Sequence, residues 1–176
     1  AGVPVVPGAN DIDPNDIERI RVVLPEDVIP IVVEPVASKR RPVSDYDAKF
    51  SAQFIAAACF VRGKFGLAEL EPEALVDPEI LALAAKVDYT SDPDTDFPRV
   101  YPGAVVVSTR NGGEFVHTER VNRGAADRAL TEAEIVEKYE ANAHLGASAA
   151  KVQAIKAAIL ALDETDGPAL SALLSA

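Results

Sequence analysis

The sequence feature that most constrains the fold is the turn signal Asn111-Gly112-Gly113, which separates two strand-like segments. Asn-Gly between alternating apolar and polar residues is the strongest short-range signal for a β-hairpin, since glycine accepts positive φ. We therefore predict an antiparallel hairpin over residues 104–121. Because side chains alternate along a strand, Val105 and Val107 should share one face and Val106 should lie on the other.

The periodicity of apolar residues elsewhere in the sequence predicts further strands and several helices. Residues 17–24 alternate apolar and charged side chains, which predicts a strand with one charged face, and residues 87–90 predict another strand. Helices are predicted over residues 78–86, 131–143, 149–162 and 168–174. The expected fold class is α+β: a two-layer sandwich with about four mainly antiparallel strands, helices on one face, and additional C-terminal helices.

The alanine-rich helix that follows residue 50 has two candidate starting points. Ser44 is one candidate cap, with Asp45 and Lys49 as an i,i+4 ion pair on the same helix. Ser51 is the other candidate, and residues 45–50 then form an extended approach to the helix.

Composition excludes several classes of protein. The 176 residues are 48% hydrophobic, enough for a core, and carry a net charge of −11, which argues against nucleic acids and anionic membranes. The single cysteine, Cys59, excludes an internal disulfide and a cysteine-based metal site, and it indicates a reducing, cytoplasmic location. The sequence contains no methionine and starts at Ala1, so we expect a piece of a longer polypeptide.

Three motifs together resemble one family. They are the run from Asp45 through Ala48-Lys49-Phe50-Ser51 into the alanine-rich stretch, the Asp77-Pro78 helix start, and Asn122-Arg123-Gly124 followed by residues 130–135. They are similar to the second domain of the MmgE/PrpD family, which includes 2-methylcitrate dehydratase, cis-aconitate decarboxylase and iminodisuccinate epimerase. The resemblance covers most of residues 17–145.

The resemblance also bears on the start of the central helix. Relatives often carry proline where Gln53 stands, and proline is tolerated only in the first turn of a helix. This favours Ser51 as the N-cap. Gly63 then stands where a glycine commonly ends a helix.

The resemblance implies a cofactor-free lyase or isomerase that acts on a small di- or tricarboxylate by acid–base chemistry. The chain corresponds to the lid domain, expected over residues 17–145, after a lead-in over 1–16. Residues 146–176 are expected to pack on a larger helical domain outside this sequence. That domain supplies most of the family's catalytic groups, so no catalytic residue is assigned here and the chain is expected to be inert by itself. Homodimer formation is left open.

Four residues are candidates for substrate binding: Lys49, Ser51, Phe54 and Arg123. Lysine and arginine suit carboxylates, and a helix N-terminus next to Ser51 favours anions. Each also has a purely structural interpretation. Lys49 pairs with a neighbouring aspartate, Ser51 only caps, Phe54 fills the core where many relatives carry tyrosine, and Arg123 is a surface arginine.

The remaining polar residues give weaker signals. Residues 38–42 are interpreted as a solvated basic loop that helps to attract an anionic ligand. His117 and His144 lie far apart in the sequence and have no ligand-like companions, so we expect no metal site.

A second class of function remains open from the sequence. The chain is then a stand-alone α+β module that binds a ligand or another protein without catalysis, paired with a separately encoded helical subunit. A long helical segment encoded upstream of Ala1 would favour the lid domain over this module.

Overall fold

The computed structural model describes residues 12–125 and 128–175. Most of the predicted lead-in over residues 1–16 therefore lies outside the described residues. Within its last part, Pro14–Asp16 form a single 3-10 turn, which the side chain of Asp13 caps.

A four-stranded mixed sheet forms the centre of the first compact unit. Its strands are β1 (Ile17–Pro25), β2 (Val87–Asp92), β3 (Gly103–Thr109) and β4 (Glu114–Glu119). Their spatial order is β2-β1-β3-β4. β1 runs parallel to β2 and antiparallel to β3, and β3 is antiparallel to β4. The predicted α+β class with a mainly antiparallel sheet is confirmed.

Strands β3 and β4 form the predicted hairpin. Gly112 has a φ of +82° in the turn, and the amide of Thr109 donates to the carbonyl oxygen of Gly113 at 2.9 Å. Val105 and Val107 contribute to the core, whereas Val106 lies opposite Arg21 on the other face of the sheet. The predicted alternation of the three valines is therefore confirmed.

A bulge in β1 turns two isoleucines that are three residues apart towards the same side. Ile17 and Ile20 are both fully buried in the core, although strict alternation would place them on opposite faces. The register against β3 shifts between Ile17 and Arg19, which adds the extra residue that this arrangement needs. Arg19 consequently points away from the core and pairs with Asp88 at 2.9 Å.

The helices of the described residues range from a single turn to twelve residues. They are α1 (Ile29–Val32), α2 (Val36–Arg40), α3 (Asp45–Lys49), α4 (Ala52–Arg62), α5 (Pro72–Leu75), α6 (Pro78–Ala84), α7 (Glu132–Ala143), α8 (Ala149–Leu160) and α9 (Gly167–Ser175). Further 3-10 turns span Glu26–Val28, Ala68–Leu70 and Leu162–Glu164. In the described part of the chain, no helix has both the length and the apolar character needed to cross a bilayer.

Both candidate caps of the central helix are used. Ser44 caps α3 through the amide of Asp47, and Ser51 caps α4 through the amide of Phe54. The preference for Ser51 as the N-cap of the long helix is confirmed, but the extended approach over residues 45–50 is wrong. Because Ser44 supplies a cap of its own, residues 45–49 gain a helical turn before Ser51 leaves helical geometry.

Helix α4 is the centre of the core. Its four consecutive residues Ala56–Cys59 are all buried, so the helix is covered around its circumference. It packs on α6, which starts at the predicted Asp77 cap, and on β2. α4 ends at Gly63, whose φ of +72° is the left-handed conformation predicted from its position.

Residues 130–175 form a second compact unit, separate from the unit that contains the sheet. Thr131 and Glu134 form a capping box at the start of α7, and the Tyr139 hydroxyl donates to the carbonyl of Val152 in α8 at 3.0 Å. Helices α7, α8 and α9 all belong to this unit.

Replacing Ser51 by alanine should destabilise the first unit by about 1–3 kcal/mol, since the change removes a cap and leaves a buried amide and a partly buried carbonyl without this partner. Ser44→Ala is the matched control, because Ser44 also caps a helix but is only half-buried. We expect a loss below about 1 kcal/mol for the control. Urea unfolding of both variants tests this, and equal losses would contradict it.

Candidate functional site

The segment from Ser44 to Phe54 contains three of the four predicted site residues. It consists of the one-turn helix α3, a break at Phe50, and the first turn of α4. At the break Phe50 and Ser51 have φ values of −109° and −119°, outside helical geometry, so α4 begins afresh after α3. The end of α3 and the start of α4 are consecutive in the chain, and the caps at Ser44 and Ser51 fix the start of each helix.

Lys49 lies in the last turn of α3 and is partly exposed. Its Nζ donates to Asp45 Oδ2 at 3.0 Å, one helical turn earlier. The hydrogen bond and the positive charge of Lys49 hold the pKa of Asp45 below its ordinary value. Nearly half of the Lys49 side-chain surface remains accessible, at 45%. The ammonium is therefore available to a second anion from solvent.

Ser51 lies in the interior of the first unit rather than at its surface. It is fully buried, and its hydroxyl donates to the carbonyl oxygen of Lys39 while accepting from the amide of Phe54. Both hydrogen-bonding functions that a buried hydroxyl needs are thus satisfied inside the chain. Ser51 joins the start of α4 to the end of α2.

The predicted solvated basic loop over residues 38–42 is wrong for its first part, because Val36–Arg40 form helix α2. Lys39 Nζ donates to the carbonyl oxygens of Ile31, at 2.6 Å, and Phe50, at 2.5 Å. Arg40 donates to Asp88 at 3.1 Å. Arg41 is the exposed member of the basic trio. The basic side chains of this segment bond backbone carbonyls and a carboxylate of the same unit.

Phe54 is a core residue. It is fully buried and meets Phe65 edge to face, with ring centroids 6.4 Å apart. The next residue on its N-terminal side, Gln53, is also fully buried and donates to the carbonyl of Val33 at 2.9 Å. The first turn of α4 therefore contacts the interior of the chain, and α3 presents the accessible part of the segment.

Exposed apolar side chains stand close to Lys49 in the sequence. Val43 is 90% exposed and Tyr46 67% exposed, and Tyr46 contacts the ring of Phe50 with centroids 5.1 Å apart. We call Val43, Tyr46 and Phe50 the 43–50 surface. Large side chains this exposed on one short segment are a typical sign of a surface that another molecule or domain covers.

Arg123 lies elsewhere in the first unit. It follows β4, the edge strand farthest from β2 in the sheet order, and precedes Gly124, whose φ is +91°. The amide of Gly124 donates to the carbonyl of Arg128 at 2.9 Å and closes the turn. The structure thus brings Lys49, Ser51 and Phe54 together through one segment, while Arg123 is exposed on a separate turn.

Sequence reasoning missed Lys39 as a part of this site. The residue stands in a Lys-Arg-Arg run, which is typical of a solvated loop. Its contact with Phe50, eleven residues later, arises only when α2 packs against α4, close to the break at Phe50. No periodicity marks such a contact, so only the spatial arrangement could identify it.

Cys59, the single thiol of the sequence, lies buried within α4. Loss of solvation, with a smaller contribution from the charge of Glu69, raises its pKa to about 12. A thiol with this pKa is almost entirely protonated near neutral pH and is a poor nucleophile.

Two further groups of charged side chains form ion pairs with one another. His117 lies 2.9 Å from Glu119, which also pairs with Arg128. An open depression of about 700 Å³ at the far end of α4 is lined in part by Arg62 and Asp77, and these two are paired with each other. Within residues 12–125 and 128–175 no group of three metal-ligating side chains occurs.

The fold and the segment together define an α+β domain that presents a lysine within an exposed apolar surface. The chain belongs to the MmgE/PrpD family: residues 7–164 match the MmgE/PrpD C-terminal domain. It is also similar to a cis-aconitate decarboxylase-like protein, oryM, of Aspergillus oryzae, with 30% identity over 162 residues. That match covers 92% of this chain and 33% of the relative, so the chain spans about a third of the relative's length.

Lys49→Met should raise the pKa of Asp45 towards its ordinary value of about 3.9, because the change removes the donor and the positive charge. A depressed carboxyl pKa stabilises the fold above the ordinary pKa, and this contribution is lost as the pH falls through the native pKa. Carboxyl ¹³C NMR titration measures the shift. Glu140, whose pKa Lys156 lowers, is an internal control and should be unaffected. An unchanged Asp45 titration would refute the pairing.

Cys59 in the native chain should react with a thiol reagent such as iodoacetamide at pH 8 at least about a hundredfold more slowly than in the urea-unfolded chain, because burial limits both access and ionisation. The unfolded chain serves as its own control. Rapid native labelling would contradict the burial of α4.

Proposed function

We propose that this chain is the substrate-binding C-terminal part of an enzyme that acts on a small di- or tricarboxylate by acid–base chemistry, through dehydration, decarboxylation or epimerisation. The observation that carries the proposal is the accessible Lys49 ammonium within the 43–50 surface, in a chain of the MmgE/PrpD family. The name of the Aspergillus oryzae relative supports a carboxylate substrate.

Lys49 is the residue that we propose to bind substrate directly. An ammonium flanked by Tyr46 and Phe50 would become desolvated once another part of the enzyme covers the 43–50 surface. A charge-assisted hydrogen bond to a substrate carboxylate gains strength in such an environment, because water no longer competes for it. Asp45 would keep the ammonium charged and oriented until the substrate carboxylate arrives.

We assign different tasks to the other three predicted residues. Ser51 and Phe54 would support the site from the inside, through the cap of α4 and the core contact with Phe65. Arg123 would offer a planar fork to a second carboxylate of the substrate, a geometry that suits guanidinium groups. The catalytic acid and base would come from another part of the enzyme, so the chain by itself should be inert. We also propose a cytoplasmic location.

The length of the relative favours this function over a stand-alone binding module. The relative contains about twice as many residues outside the match as within it, which is sufficient for a further domain. The exposed apolar side chains of the 43–50 surface would suit a contact with such a further domain.

The complete enzyme should convert cis-aconitate or 2-methylcitrate, and Lys49→Met should raise KM by about tenfold to a hundredfold with a smaller change in kcat, since a charge-assisted bond to substrate is lost. Lys64→Met is the matched control, because Lys64 is an exposed lysine of the same unit. We expect the 176-residue chain to show no turnover. Turnover by this chain, or an unchanged KM for Lys49→Met, would contradict the proposal.

A further inference from the structure

Lys39 connects three parts of the first unit at one point. Its ammonium donates to the carbonyl oxygen of Ile31, in the last turn of α1, and to that of Phe50, directly after α3. Its own backbone carbonyl accepts the hydrogen bond from the buried hydroxyl of Ser51. Residue 39 is therefore bonded to both residues of the break between α3 and α4.

A lysine fits this position for physical reasons. The last carbonyls of a helix have no partner within the helix, and the helix dipole makes them favourable contacts for a cation. The ammonium group has three donors arranged around one nitrogen, so it can bond two carbonyls that converge from different helices. An apolar side chain of similar length would leave both carbonyls without this donor.

We propose that Lys39 is a positioning residue for substrate binding and that it acts through Lys49. The inference rests on the proposed function. The Phe50 carbonyl that Lys39 holds is one residue from Lys49, and Ser51, on the other side of Phe50, is fixed to the backbone of Lys39. These bonds fix the exit of α3 on both sides of the break. They therefore fix the backbone position of Lys49, from which its side chain extends.

The consequence is a specific coupling between two lysines that lie ten residues apart in the sequence. Loss of the Lys39 ammonium frees the Phe50 carbonyl and allows the end of α3 to move. A displacement of about 1 Å at a binding group can reduce the catalytic efficiency of an enzyme by as much as a hundredfold. Lys39 would have no such effect on substrate binding once Lys49 can no longer contact the carboxylate.

A double-mutant cycle in the complete enzyme tests the coupling, with cis-aconitate and 2-methylcitrate as the probe substrates. Lys39→Met should raise KM by about tenfold when Lys49 is present, and by less than about twofold in the Lys49→Met background. Lys39→Arg retains a charged donor and should restore most of the loss. Lys64→Met should leave KM unchanged. If Lys39→Met does not fold, Lys39→Gln replaces it in the cycle, because its side chain stays polar but is uncharged and one atom shorter, so the ammonium is still lost.

The outcomes separate this inference from the proposed function. A wild-type enzyme that converts neither substrate would overturn the proposed function, and the positioning role with it. An active wild-type enzyme in which Lys39→Met raises KM equally in both backgrounds would overturn the positioning role only. The positioning role is also overturned if Lys39→Met lowers the melting temperature but leaves KM unchanged, because Lys39 is then a stabilising residue without influence on the site.

Discussion

The burial of α4 on all sides is the constraint on which the rest of the first unit depends. Ala56, Ala57 and Ala58 add little bulk, so the sheet and α6 can enclose the helix, and the N-terminus of the helix is buried along with its middle. A buried helix start requires partners for its amides and for any polar side chain near them. Ser51 meets this requirement from within, and Lys39 supplies the acceptor that the Ser51 hydroxyl needs.

The position of Lys49 follows from this burial. Ser51 is fixed in the interior, whereas the helix just before it, α3, lies at the surface. The side chains of Tyr46 and Lys49 in α3 are therefore accessible. Ionic and apolar groups of one short helix therefore share the accessible surface. The arrangement combines a rigid base with an exposed cation, which is the feature on which the proposed function rests.

Charge is distributed unevenly between the inside and outside of the first unit. The chain has a net charge of −11, yet Lys39 and Arg40 donate to backbone carbonyls of neighbouring elements. Helix ends and strand ends present such carbonyls, and long cationic side chains can reach them while their stems cover apolar surface. Basic residues close to the site thus stabilise its framework, and fewer of them remain to attract a ligand than the sequence suggests.

Local signals in the sequence were sufficient for the hairpin, the Asp77 cap, the end of α4 at Gly63 and the family of the chain. Each depends on residues close together in the sequence: an Asn-Gly turn, a cap three residues from its amide, a glycine with positive φ. The sequence also contained both caps before α4, but treating Ser44 and Ser51 as alternatives concealed the one-turn helix between them. Two caps seven residues apart leave room for one helical turn. The one-turn helix could therefore have been predicted from the local sequence alone.

The sequence by itself determined the four strands and the longer helices, because hydrophobic period, caps and turn residues act locally. Tertiary structure alone decided which polar side chains face inward. Ser51 and Lys49 are two residues apart, yet one is buried and the other accessible, since α4 is enclosed by elements that lie far away in the sequence. From the sequence, Lys39 is expected to be a solvated lysine. The fold brings its ammonium to the carbonyl oxygen of Phe50, and the sequence cannot predict this bond because every residue has such a carbonyl.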